Sequence, residues 1–442
     1  MLTVRSTLSK SVFNATQKFD GLMHKPQLRN LREMTLGMLI GESSHLSTIG
    51  ASVSGEVTPR KNTERYARTL EKLDVDACTK QHIACAALRF RNEPVLLLGD
   101  GGDMQKPHAK VMEEVCSCVD GSEGHSIGKG YPTFACIAYG LSSGRQLPLV
   151  HHLYSTKAEK FKSQWDEQKT RYAWLTPFMH SSLDRIAVED RGCDDEKRFL
   201  FFLHDLRCSF LTRINVGEKS RNLCPLREGE MQTAISVQQI ARDSHKNAGS
   251  QREWRNRKLN KDCTSTIAFQ EVRLPDHPKI PLFLALLFTE GFKEPITLLT
   301  DITVDSFEKA WEVFFWYKKR WEVENFFRAI KQEFGAEQFL IRSMKAIKAL
   351  AFVQMLSFCL LRDMREKAAE LFGLLFHMFQ EFCRKWQRTK KSHIDLLQWI
   401  RIMWRSSIPS SVSHRVWSRH MYDCLCRKPR NQLALFSSRG KW

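Results

Sequence analysis

Four side chains along Trp311 to Lys331, WEVFFWYKKRWEVENFFRAIK, carry groups that could do chemistry together: Tyr317, Arg320, Glu324 and Lys331. Counted from Tyr317, the other three lie at offsets of 3, 7 and 14 residues. Read as one helix, at about 100° per residue, they fall within roughly 60° of one another. Val323, Phe327, Ile330 and Phe334 form a neighbouring apolar stripe. Such a helix would bury one face and present, along its edge, a carboxylate flanked by two cations and a phenol. On a surface helix an Arg320–Glu324 pair alone is worth only about 0.3 kcal/mol, so its meaning depends on what the rest of the chain brings to it.

Two more carboxylates stand at the ends of short buried strands. PVLLLGDGGD reads as a strand ending at Asp100, and RIAVED as a strand ending at Asp190. Asp100, Asp190 and Glu324 together make the kind of set that phosphodiester chemistry uses. Two Mg²⁺ or Mn²⁺ ions held by oxygen ligands about 4 Å apart can activate a nucleophile and stabilise a leaving oxygen. Cations beside Glu324 would then grip backbone phosphates or offset charge in the transition state.

The composition agrees with a polyanionic partner. The chain has 442 residues, with 68 Lys and Arg against 49 Asp and Glu, a formal net charge of +19 and a pI of about 9.4. Basic residues concentrate in 213–261 and 384–442. A phosphate polymer is the economical partner for that excess. The longest apolar run, Ala349 to Leu361, is interrupted by Gln354 and is too short to span a bilayer. No basic amphipathic helix with an isolated apolar face points to a membrane surface. The 13 cysteines show no CxxC pair and no zinc spacing, and read as reduced thiols of a cytoplasmic protein.

The elements that must position the carboxylates follow in order. Residues 1–88 read as a small helical domain whose Arg29, Arg32, Arg60, Lys61, Arg65 and Arg68 would suit DNA contact. From Pro94 the period changes. After the Asp100 strand come a helix-like piece, a hairpin of TFACIAYGL and LPLVHHLYS about SSGRQ, a helical segment over 160–180, the Asp190 strand, a helix and the strand SFLTRIN. This is a mixed α/β sheet with helices on its faces, expected over 89–215. Residues 216–290 read as an inserted β subdomain, polar and rich in Arg and Lys, with β-prone pieces AISVQQI and STIAFQEVRL and with Trp254 set among cations. The core resumes over 291–345, where Asp305 to Glu308 offers a capping box for the helix that carries Glu324. Residues 346–442 read as a helical region with a basic tail.

Tyr317-x2-Arg320-x3-Glu324-x6-Lys331 resembles the tyrosine-arginine-glutamate-lysine signature of DDE transposases of bacterial insertion sequences, in the group named for insertion sequence four. LLLGDGGDMQKPHAK resembles its first-aspartate segment, CVDGSEGHSIGKGYP and RQLPLVHHLYS the meander that follows, IAVEDRG the second-aspartate segment, and LLTDITVDSFEKAWEVFFWYKKRWEVENFFRAIKQEF the glutamate segment. The resemblance spans about 90–360 and implies an RNase H-like catalytic core interrupted by a β insertion between the second Asp and the Glu. It implies that Asp100, Asp190 and Glu324 are the ligands of two Mg²⁺ or Mn²⁺ ions, and that Tyr317, Arg320 and Lys331 contact DNA phosphates. A tryptophan in the insertion, for which Trp254 is the candidate, would stack on a flipped base. The implied activity is cut-and-paste transposition: nicking of transposon ends, hairpin formation and strand transfer into target DNA. A homodimer would act in the synaptic complex, in the cytoplasm of a bacterium and on its nucleoid. Alternatives are a metal-dependent nuclease on the same fold and a non-catalytic, transposase-derived DNA-binding protein.

The chain departs from that pattern in places. Gly102 stands where the family often has Thr, and Asp103 follows it, so Asp103 is the alternative first ligand. Cys193 follows DRG in place of an aromatic residue. Asp301 also ends a strand, but it lies beyond the insertion, where the second-aspartate slot does not fall. Lys106 and Arg191 are candidate supports for the site. His151 and His152 are adjacent on a strand, so their side chains face opposite sides and do not suit a metal pair.

Overall fold

The computed structural model describes residues 4–53, 57–120, 126–179, 183–256 and 260–364. Val12–Asp363 form one compact unit, and a second comprises Met1–Ser11 and Met364–Trp442. The expected basic tail, and all of the C-terminal region after residue 364, lie outside the described residues.

Among the described residues thirteen strands make one sheet. They are β1 (Val95–Gln105), β2 (Cys116–Asp120), β3 (Ser126–Gly140), β4 (Gln146–Leu153), β5 (Arg185–Glu189), β6 (Ser209–Arg213), β7 (Asn222–Arg227), β8 (Glu230–Met231), β9 (Ile235–Ser236), β10 (Gly249–Asn256), β11 (Lys261–Leu274), β12 (His277–Thr289) and β13 (Ile296–Thr300). The described helices are α1 (Val4–Thr16), α2 (Lys25–Gly41), α3 (Leu46–Ser52), α4 (Pro59–Lys72), α5 (Val75–Arg89), α6 (Gln164–Ala173), α7 (Thr176–Met179), α8 (Glu196–Leu200), α9 (Val237–His245), α10 (Phe307–Lys318), α11 (Trp321–Glu333) and α12 (Met344–Met364).

The heart of the sheet is β4-β3-β1-β5-β6. β3 runs antiparallel to β1 and β4, whereas β1, β5 and β6 run parallel. An antiparallel meander continued by parallel strands beside its first member is the RNase H-like arrangement. Leu96, Leu97 and Leu98 of β1 and Ala187 and Val188 of β5 are wholly buried. A strand covered on both faces has no polar side to alternate with, hence the unbroken apolar runs. The TFACIAYGL–LPLVHHLYS hairpin forms as expected from its alternation and turn.

β1 differs from the sequence reading. It does not end at Asp100 but continues through Gly101, Gly102 and Asp103 to Gln105, because β3 is long enough to pair with every residue from Val95 to Gln105. Ladder partners override the poor strand preference of the two glycines. The helix-like piece expected next is instead a series of turns leading into β2, which pairs with the start of β3. AISVQQI, expected as a strand, supplies only the two residues of β9 and then enters α9, where Ser236 caps the Gln239 amide.

The β-rich segment between β6 and α10 is not a separate sheet. β13 pairs antiparallel with β6, and β12, β11 and β10 follow outward in antiparallel order. A rigid ladder thus runs from the core into the insertion.

The N-terminal helices form a layer in which much of the basic charge is already paired. Arg29 and Arg65 both bind Glu33, Arg32 lies 3.3 Å from Asp20 and Arg60 lies 3.2 Å from Glu64. α12 is long and apolar enough to cross a membrane by length and composition, yet 83% of its most apolar window is buried inside the protein. Its apolar character is accounted for by the core it fills.

Candidate active site

Glu324 is brought to the sheet by two helices, not one. The single helix expected over Trp311 to Lys331 breaks at Lys319–Arg320 into α10 and α11. Around the break the backbone amides of Lys319, Arg320, Glu322 and Val323 donate to the carbonyl three residues earlier. This tightening to 3₁₀ geometry ends the regular ladder without Pro or Gly. Ser306, not Asp305, is the N-cap of α10, accepting from the Lys309 amide. Trp311, Val313 and Phe314 on α10 and Val323, Phe326 and Ile330 on α11 are buried, which seats both helices.

Asp100 on β1, Asp190 just past β5 and Glu324 in the first turn of α11 converge on the Arg320 guanidinium. Nη1 binds Asp100, while Nη2 lies 2.9 Å from Glu324 and 3.8 Å from Asp190. Asp103, the alternative, stands elsewhere. It accepts from Lys331 Nζ at 2.8 Å, farther along α11, and Lys331 also lies 2.9 Å from Glu337. The structure therefore groups Asp100 with the other two carboxylates and gives Lys331 an ion-pair role within the protein.

The electrostatics reflect crowding. Burial, with the charges of Asp190 and Glu324 adding to it, pushes the Asp100 carboxyl up to about 7 despite the opposing guanidinium. Burial also acts to raise Asp190, but Arg320, the Arg191 backbone amide and the Tyr317 hydroxyl outweigh it and hold Asp190 below the ordinary carboxylate range. Tyr317 donates to Asp190 at 2.9 Å. The Arg320 side chain is nearly buried, and its Nε has no hydrogen-bond partner.

The donor set suits a hard divalent ion. Three carboxylates on two strands and a packed helix offer only oxygen, the preference of Mg²⁺ and Mn²⁺. Among the described residues no three His, Cys, Asp or Glu side chains form a closed metal cluster as placed. The cation they surround is the guanidinium, and its orphaned Nε marks a seat that does not satisfy it fully. The residues fit the ions, provided that Arg320 can move.

Other residues flagged by the sequence have structural work. Trp254 is 9% exposed, donates its indole N–H to Ser265 Oγ at 2.8 Å and packs edge-on against Phe314, with the Lys318 ammonium 4.5 Å from its ring centre. As placed it is largely buried, and it joins β10 to α10. Lys106 donates to the backbone oxygens of Glu337 and Phe339 at 2.7 and 2.5 Å, fastening β1 to the segment after α11. Burial lowers its ammonium to about 8. Arg191 contributes its backbone to Asp190 while its side chain is exposed. Asp301 accepts from the Phe210 amide at 2.8 Å and so fastens β13 to β6. His151 turns toward the Ala351 carbonyl and His152 toward Glu167, on opposite sides of β4.

Sequence reasoning missed the support behind Asp190. The preceding residue, Glu189, is fully buried and binds Arg198 at 3.0 Å and the Tyr172 hydroxyl at 3.1 Å. Cys193, in the slot where an aromatic was expected, lies beside this carboxylate. The signal was present: a Glu at the end of a wholly buried strand requires a buried cation nearby. Gly99 belongs to the same arrangement, since a β-carbon there would overlap the Tyr172 hydroxyl.

Gly102 has its own reason. A β-carbon at this position would meet the Phe327 ring and Thr133 Oγ1, both at 2.9 Å. Gly102→Thr is expected to force α11 off β1 and to cost about 1–3 kcal/mol, the usual penalty for overpacking. Urea unfolding of the two forms measures it.

An RNase H-like sheet that carries two aspartates from adjacent parallel strands and a glutamate from a packed helix defines a class of nucleic-acid-processing core. The chain belongs to the DDE transposases: the family model described as Transposase DDE domain matches residues 92–360. No curated protein sequence matches the chain. Among solved structures it is similar to the piggyBac transposase in a cryo-electron microscopy synaptic complex with hairpin DNA, at 11% identity and a TM-score of 0.42, over 88% of this chain and 78% of that one. That likeness is too distant to carry an argument.

Proposed function

We propose that the protein is a catalytically competent DNA transposase that cuts the ends of its own element and joins them to target DNA, with Asp100, Asp190 and Glu324 as metal ligands. The observation that carries this reading is the convergence of these three carboxylates, from β1, β5 and α11, on one cationic centre. Divalent ions bound there would supply an activated water or 3′-hydroxyl and offset charge on the leaving oxygen. Asp100 and Asp190 give the site a rigid floor, since their strands are hydrogen-bonded neighbours. Tyr317 holds one Asp190 oxygen, which leaves the other directed at the shared centre. Arg320 is placed to exchange carboxylates for a DNA phosphate. Its planar fork suits both.

The ordered sequence resemblance supports the finer course of nicking, hairpin formation and strand transfer, in the insertion-sequence-four group and by a homodimer in the bacterial cytoplasm. The test is incubation of the purified full-length protein with DNA flanking its own gene, with and without Mg²⁺. Mg²⁺-dependent nicks at the element's ends, followed by joined products, are expected. Nicks without joined products would make it a nuclease on the same core. DNA binding without any cleavage would make it a non-catalytic relative.

A further inference from the structure

Arg320 competes with metal ions for the same oxygen atoms. Its side chain is only 10% exposed, binds Asp100 and Glu324, reaches Asp190 at 3.8 Å and leaves Nε buried without a partner. One long contact and one orphaned N–H make a cation that is held but not optimally held. Leaving a buried donor unsatisfied is unfavourable. The residue also sits on the 3₁₀ junction between α10 and α11. A change of hydrogen-bond pattern within a helical run often marks a hinge.

We propose that Arg320 is a displaceable internal cation that couples metal entry to DNA-phosphate binding. Seated, it neutralises the three carboxylates and covers the oxygens that would ligate a divalent ion. Withdrawn onto a backbone phosphate, it exposes them. An ion that takes the carboxylates releases the guanidinium for phosphate, and a phosphate that takes the guanidinium releases the carboxylates for the ion. Linkage then requires each ligand to raise the affinity of the other by the same factor. This inference rests on the metal assignment of the preceding section.

The test is Mn²⁺ titration of the full-length protein, followed by electron paramagnetic resonance of the free ion, with and without duplex DNA from the sequence flanking the gene. Wild type is expected to bind Mn²⁺ weakly alone and about tenfold more tightly with DNA, within the usual range of coupling energies. Arg320→Gln is expected to bind Mn²⁺ without DNA about tenfold more tightly than wild type, with little further gain from DNA. Arg320→Lys, which keeps the charge but loses the fork, should fall between them. Equal Mn²⁺ affinity in wild type and Arg320→Gln, unchanged by DNA, would overturn the coupling while leaving the metal site standing. Absence of Mn²⁺ binding in every form, with DNA or without, would instead remove the metal assignment itself. The comparison of wild type with and without DNA needs no variant, so it decides the matter even if Arg320→Gln fails to fold.

Discussion

Glu324→Gln is expected to leave DNA binding intact and to reduce Mg²⁺-dependent nicking of end DNA by about 10³-fold or more, as loss of a ligand in a two-metal site does. The amide preserves the length and shape of the side chain, and its oxygen still accepts from Arg320 Nη2. Arg320 also keeps its contact with Asp100, so the break between α10 and α11 should persist. What is lost is the negative charge that α11 would offer to a bound ion. A mobility-shift assay and a nicking assay on one protein preparation separate the two effects. Nicking at the wild-type rate would show that Glu324 is not a ligand. Equal loss of binding and nicking would assign Glu324 to DNA contact or to folding.

How much of this was legible from the chain depends on whether a residue's role is set locally. The strand VLLLG and the IAV stretch of the next one declare themselves because burial on both faces favours apolar side chains, and the hairpin around SSGRQ because its alternation and turn are local. Asp190 and Glu324 could be picked out because a strand end and a helix edge are positions at which a charge can be presented; Asp100 was picked out at an expected strand end and lies within the ladder instead. The continuation of β1 past Asp100 was not legible, because it is imposed by the length of β3, which pairs with it from the far side of a loop. The break at Arg320 was hidden for a similar reason. No Pro or Gly announces it, and both halves continue to bury aromatic residues. The resemblance offered Trp254 as a stacking residue, but how far an aromatic is covered depends on what packs on it, here Phe314 from a distant helix. The neutralisation of Lys331 by Asp103 and Glu337 likewise joins three separated segments.

The buried ion pair behind Asp190 carries the largest expected effect on stability. Glu189 and Asp190 are consecutive, and they point to different surroundings. Glu189 goes into the core, to Arg198 and Tyr172, and Asp190 to the site, to Tyr317 and Arg320. Removing only the cation leaves a carboxylate stranded in a place that already raises its proton affinity by burial. Arg198→Met should therefore cost about 3–5 kcal/mol, the usual result of breaking one side of a buried pair. Part of that loss is packing, because the guanidinium also lies 4.4 Å from the centre of the Trp165 ring. Adding Glu189→Gln removes the uncompensated charge and keeps an acceptor for Tyr172, so the double variant should recover a large part of the stability. Urea unfolding of the wild type, both single variants and the double variant gives the coupling directly. Nicking should follow the same order, because β5 delivers Asp190 to the site only while its last core residue is held. A loss below about 1 kcal/mol for Arg198→Met, the range of exposed pairs, would show that something other than this ion pair fixes the end of β5.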